Sequence, residues 1–362
     1  MKVHLQTFTL QRRSFPQALC SQQTNLFLRV EHDGIEGWGV ASSFRGNRTG
    51  LGNTTQTIDD IARSLQKIVP LLISYHPTER QKIDRLLDGL ETGALLSAAR
   101  SALDLALYDW FGKALNLPLY AIWGLDLERV GQTAATVELR DIDEVRDRTR
   151  DWLTQIPELQ ELTLKLSSEG IESDKAMVLA VKNVSPNLSS ISVDASGGWT
   201  LSDALHMHDW LTKEGVTYIE QPIAPGHEKD LLALYERSAV PIFATECRTS
   251  SDIVAIHDRV HGITIKLSQC GGLSEALKMI HTARAHGLKV KLGCHYDGVV
   301  MNTALSHLAP LADYLDISSH LNFKNDPFDG ATLVHGRLIP NDRPGLGVQY
   351  GVQHGVQQRG QG

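Results

Sequence analysis

Cysteine is scarce in this chain of 362 residues: Cys20, Cys247, Cys270 and Cys294 are scattered, and no two form a CxxC pair. That argues against a zinc knuckle or a redox dithiol, and favours reduced thiols over a disulfide framework. Long apolar runs are missing too. None approaches the roughly 20 residues of a membrane span. The first residues, MKVHLQTFTLQRRSF, alternate like a strand and lack the apolar core of a secretory signal, so a cytoplasmic location is expected. An excess of basic charge is also lacking. The net charge is −7, whereas nucleic acid or an anionic membrane would each want a basic face. A small anionic substrate remains open, because it needs only a local positive site. No GxGxxG phosphate loop follows an early strand, which weakens a doubly wound open sheet as the architecture.

What is present is ordinary in amount: 42% apolar and 21% charged residues, with enough length for a large core and two domains. Val3–Leu10 and Asn25–His32 alternate, and Asp33-Gly34 makes a turn into Ile35–Ala41. Ser42–Thr55 is rich in Gly, Asn, Ser and Thr and reads as a loop. Helical periodicity follows over Ile58–Leu72, Pro77–Leu87 and Leu95–Leu115. The last carries small and apolar residues on more than one face, as a helix between two layers does. From Thr133 the pattern changes to eight short β runs with helical stretches between most of them. The runs are Thr133–Leu139, Leu162–Leu166, Ile191–Asp194, Thr217–Glu220, Ile242–Ala244, Ile263–Leu267, Lys289–Gly293 and Tyr314–Ile317. Leu201–Lys213, Leu231–Arg237 and Leu273–His286 are helical stretches of this kind. Recurrence at roughly 25 residues is the period of a βα unit and predicts a closed parallel barrel. The Gln/Gly-rich tail, Val348–Gly362, reads as disordered.

Parallel barrels carry their chemistry at the C-terminal ends of the strands. Those ends hold Lys165, Asp194, Glu220, Thr245-Glu246, Lys266, His295 with Asp297, and Asp316. Three consecutive strands deliver acids, with a lysine on either side. Clustered carboxylates repel unless a cation holds them, which implies a hard divalent ion. Mg²⁺ suits an all-oxygen set better than zinc does. A ring of salt bridges closing the barrel top is the bland alternative. A neighbouring ion and partial burial would lower a lysine's pKa enough for a neutral amine to act as base. The ion would bind a substrate carboxylate and stabilise the charge left when an α-proton departs. Two lysines facing opposite sides of that carbon would racemise or epimerise it. Lys291 would point into the barrel, either as a buried charge partner or as an extra cation.

These segments resemble the enolase superfamily, in particular its muconate-lactonising subgroup and the dipeptide epimerases within it. Gly37-Trp38-Gly39, the Ala98–Gly124 helix pattern, Asp194 before Ala195 and Gly198-Trp199, Glu220-Gln221-Pro222, Lys266 in IKLSQCGG, Asp326-Pro327-Phe328 and Pro344-Gly345-Leu346-Gly347 carry the likeness. It implies a (β/α)7β TIM-like barrel with an N-terminal α+β capping domain completed by the C-terminal segment. The boundaries would be 1–125 for the cap, 126–322 for the barrel, 323–347 for the return to the cap and 348–362 for the tail. It implies Mg²⁺ held by Asp194, Glu220 and Glu246, with Lys165 and Lys266 as opposed acid and base. Thr136, His295, Asp297, Asp316 and Ser318 are the implied substrate contacts. The substrate would be a small amino-acid or dipeptide-like carboxylate, and a homo-oligomer with no nucleic-acid or membrane partner is expected.

The departures are specific. Thr163 stands where the family's first lysine of KxK would be, Thr245 where its third metal ligand usually is, and Val40 where the GWGE acid is. Ser318 replaces one acid of a DxD pair that holds a substrate ammonium. The stretch Phe15–Cys20 offers no arginine for an acidic side chain. His295 reads as a substrate contact rather than a base. A one-base cycloisomerase or lyase, and a diverged carboxylate-binding protein without catalysis, both remain open.

Overall fold

The computed structural model describes residues 1–13, 22–43, 56–73, 75, 80–90, 95–138, 141–166, 169–237 and 239–351. Most of Ser42–Thr55 and of Phe15–Thr24, the segments expected to cover the barrel mouth, lie outside the described residues. The alternating N-terminal runs form an antiparallel sheet of β1 (Lys2–Gln11), β2 (Gln22–His32) and β3 (Ile35–Ser42). Asp33 and Gly34, at φ 51° and 74°, make the tight β2–β3 turn, the left-handed pair that a two-residue hairpin needs. Helices α1 (Ile58–Ile73), α2 (Arg80–Gly89) and α3 (Ser97–Ala114) follow. α3 is buried on every side, as its lack of a polar face predicts. Gly39 lets it lie directly on β3, since a Cβ there would stand 1.9 Å from the Ala102 carbonyl oxygen.

Eight parallel strands make the barrel: β4 (Ala135–Val137), β5 (Glu161–Lys165), β6 (Ser190–Asp194), β7 (Ile219–Glu220), β8 (Ile242–Ala244), β9 (Gly262–Ile265), β10 (Lys289–Gly293) and β11 (Tyr314–Asp316). They pair in chain order, and a bridge between Thr133 and Leu315 joins the first to the last. An open doubly wound sheet is thereby excluded. Among the described residues no helix is long and apolar enough to cross a membrane. The disorder expected from Val348 onward does not hold for its first residues. Gln349–Tyr350 pairs with Phe328–Asp329, and Tyr350 stacks on Trp38 with ring centroids 5.3 Å apart. One aromatic anchor outweighs a Gln/Gly-rich context.

Two buried acids of α3 hold the cap together and join it to the barrel. Asp109 accepts from the Trp38 and Leu346 amides, each at 2.8 Å, and from Lys113 at 2.7 Å. It thus ties the sheet, the helix and the C-terminal return together. Asp104 accepts from the amides of Leu273 and Ser274 at 2.7 and 3.1 Å and from the Ser274 hydroxyl. It caps the barrel helix Leu273–Ala285, whose N-terminus favours a negative partner.

Burial nevertheless pushes Asp104 up to about 6 from its ordinary 3.8, so the folded chain binds this proton more tightly than the unfolded one. Below about pH 4 both states are protonated and the group costs nothing; the cost grows to roughly 3 kcal/mol as pH climbs through 6. Asp104→Asn should remove that slope. Urea unfolding at pH 4 and pH 6.5 should show the variant gaining stability relative to wild type at the higher pH. Parallel curves would exclude the effect.

Candidate active site

The rim residues of β5, β6, β7 and β9 face one mouth because parallel strands all end there. Deep within it lies an ion cluster. Lys291 on β10 is only 2% exposed. Its ammonium donates to Glu220 Oε1 and, at 3.4 Å, to Thr163 Oγ1, and it lies 3.7 Å from Asp316 Oδ2. Burial alone would depress this lysine. Glu220, Tyr218 and Asp316 outweigh it and hold Lys291 well above its ordinary value. Thr264 Oγ1 donates to the other Glu220 oxygen at 2.7 Å. Of the two roles left open for Lys291, the structure assigns the buried charge partner.

Nearer the rim, Lys165 ends β5 and Lys266 follows β9 as the N-cap of the short helix Leu267–Cys270. β5 and β9 are the second and sixth of eight strands, half the ring apart. Lys165 Nζ donates to Glu138 Oε1 at 3.2 Å, and the Tyr296 hydroxyl donates to Glu138 Oε2 at 2.7 Å. Arg12 lies 3.5 Å above the centre of the Tyr296 ring. Burial lowers the Lys165 pKa, but the charges of Glu138 and Asp194 more than offset it and hold the ammonium above its ordinary value. His295 lies within reach of the charge of both lysines. Burial first, and then the charges of Lys266 and Lys165, keep its imidazole well below the usual range and therefore neutral.

Asp194 and Glu220 are register partners on adjacent strands. Asp194 Oδ1 accepts from the Ser196 amide at 2.7 Å and its hydroxyl at 3.1 Å. The two carboxylates thus stand on adjacent strands, with both Glu220 oxygens engaged by Lys291 and Thr264. Thr245 does not join them: its amide donates to Gln221 Oε1 at 2.9 Å and its hydroxyl to the same atom at 3.3 Å. Glu246 Oε2 lies 3.8 Å from Arg248. Among the described residues no three Asp, Glu, His or Cys side chains converge as ligands. Glu246 lies two residues beyond Ala244, the end of β8.

The expected substrate contacts divide. His295 is partly open. Thr136 donates to Asp316 Oδ2 at 2.6 Å, so those two satisfy each other. Ser318 is 1% exposed and donates to the Ala134 carbonyl at 2.9 Å. Asp297 is also 1% exposed and accepts from the His295 amide at 2.9 Å. Both belong to the wall in this arrangement: the Ser318 hydroxyl is taken up by a backbone carbonyl, whereas Asp297 gives only Oδ2 to a backbone amide and its buried Oδ1 has no hydrogen-bond partner among the described residues. Glu138 and Tyr296 were not legible as site residues. The one available signal was Glu138's place just after β4, masked by the apolar Leu139 that follows it in the sequence.

A family model described as the mandelate racemase / muconate lactonizing enzyme N-terminal domain matches residues 7–124, and one described as enolase C-terminal domain-like matches 144–353. A hydrophobic dipeptide epimerase of Roseobacter litoralis is 36% identical over 96% of this chain and 98% of its own. An L-Ala-D/L-Glu epimerase of Bacteroides thetaiotaomicron is 33% identical over 93% of this chain and 84% of its own. Among solved structures, the dipeptide epimerase of Methylococcus capsulatus, complexed with Mg and the dipeptide L-Arg-D-Lys, superposes with a TM-score of 0.85. It is 25% identical, over 96% of this chain and 99% of that one.

Proposed function

Because the chain belongs to the enolase superfamily and is an isomerase of its epimerase group, we propose that it epimerises dipeptides at the carbon next to the free carboxylate. The observation that carries this reading is the pair Lys165 and Lys266, half the barrel ring apart, with the neutral His295 under the charge of both. Opposed amines can address opposite faces of one α-carbon. Lys165, kept protonated by Glu138 and Asp194, is the proton donor of the resting protein. Lys266 takes the proton from the other face, and the roles reverse for the opposite isomer. His295 can orient the substrate by a hydrogen bond without competing for its proton.

Asp194 and Glu220 would hold a Mg²⁺ ion, with Glu246 as the third proposed ligand. When bound, the ion supplies positive charge to the substrate carboxylate and to the negative charge that builds there as the proton leaves. Incubating L,L-dipeptides in D₂O and following the α-proton by NMR tests the proposal. Deuterium should enter with inversion. Ring closure or loss of water would indicate a one-base cycloisomerase or lyase. Absence of any exchange, with no Mg²⁺ bound at millimolar concentration, would indicate a protein without this chemistry.

A further inference from the structure

The mouth carries a carboxylate, Glu138, that neither the metal pair nor the barrel floor uses. Glu138 follows β4 and is 27% exposed beside Lys165, itself 32% exposed. It is fixed in place: the Tyr296 hydroxyl holds one oxygen at 2.7 Å, and Arg12 covers the Tyr296 ring. Its second oxygen faces the Lys165 ammonium at 3.2 Å, so the position already accommodates an organic cation.

A dipeptide brings a second charge besides its carboxylate, the terminal ammonium. Asp316 and Ser318, implied by the family likeness as its receivers, are engaged inside the barrel with Thr136, Lys291 and the Ala134 carbonyl. Asp297 is buried. We infer that Glu138 is the subsite for the substrate's terminal ammonium, a specificity role that rests on the dipeptide reading above.

The span permits it. In a dipeptide the terminal nitrogen lies about 5 Å from the second α-carbon. A reacting amine stands about 3 Å from the atom it serves. With 3.2 Å between Lys165 Nζ and Glu138 Oε1, one substrate can reach both groups at once. Arrival of the substrate ammonium at Glu138 would also give that carboxylate a second cation to share with Lys165. Glu138 thus links recognition of the free amino terminus to the residue at the reacting carbon.

The test compares Glu138→Gln and Glu138→Asp with wild type on one dipeptide and its N-acetyl counterpart, read as kcat/KM for α-proton exchange in D₂O. Wild type should favour the free amine. Glu138→Gln should lose roughly 10- to 100-fold on the free amine, mainly in KM, and little on the N-acetyl form. Glu138→Asp should keep part of the preference. An equal loss on both substrates would make Glu138 only a positioning residue for Lys165 and overturn the subsite, as would no loss on either. If wild type exchanges no dipeptide, free or acetylated, the epimerase reading itself falls and the subsite with it.

Discussion

Lys266→Ala should lower dipeptide epimerisation by roughly 10²- to 10⁴-fold, the usual contribution of a positioned acid or base. Lys165→Ala should do the same, because inversion needs a proton removed on one face and delivered on the other. Exchange is less demanding, since one amine can take and return a proton on its own face. Each single variant should therefore keep some exchange with D₂O for one isomer while failing to interconvert the two. The residual exchange should be unequal. Lys165 is held protonated by Glu138 and Asp194, so the variant that must rely on Lys165 as base, Lys266→Ala, should be the slower. Chiral chromatography measures interconversion and NMR measures exchange in the same tube. Interconversion near the wild-type rate in either variant would rule out the two-lysine mechanism. Equal residual exchange would remove Glu138 as the source of asymmetry.

That asymmetry could not be read from the sequence, although the lysines could. The barrel strands were legible because their apolar runs recur at the period of a βα unit, and β8 and β10 fall on the residues expected. Parallel strands then place their last side chains at one rim, which makes Lys165, Asp194 and Glu220 readable as neighbours without any contact information. The cross-ring partners were not readable. Alternation says that a side chain points inward, but not which of several long polar chains it meets there. Glu138 meets Lys165 from the adjacent strand, Lys291 reaches Glu220 from three strands away, and Glu246 turns toward Arg248. The expectation for the first residues of the tail failed for a related reason. Gly/Gln composition describes solvation, whereas Tyr350 stacking on Trp38 depends on where the N-terminal sheet happens to stand.

The barrel floor offers the largest stability effect. Lys291 and Glu220 are 2% and 4% exposed as side chains and are bonded to each other. Removing one member of a buried ion pair leaves the other desolvated and uncompensated, at a cost of about 3–5 kcal/mol. Lys291→Met should therefore lower the urea midpoint strongly. Adding Glu220→Gln should return much of the loss, because a neutral amide still accepts from Thr264. A second double variant asks where the charge has to come from. Lys291 donates to Thr163 at 3.4 Å, and Thr163 occupies the position where the family likeness places a lysine. The cation inside this barrel thus enters from β10 rather than from β5, and ends beside the same residue. Thr163→Lys combined with Lys291→Met moves the charge back across the floor. It should recover stability lost in Lys291→Met alone, provided that Glu220 needs a cation and not a particular strand to supply it. If Lys291→Met is as stable as wild type, the pair does not hold the floor together. If the relocated lysine restores nothing, the geometry of β10, and not the charge, is what Glu220 requires.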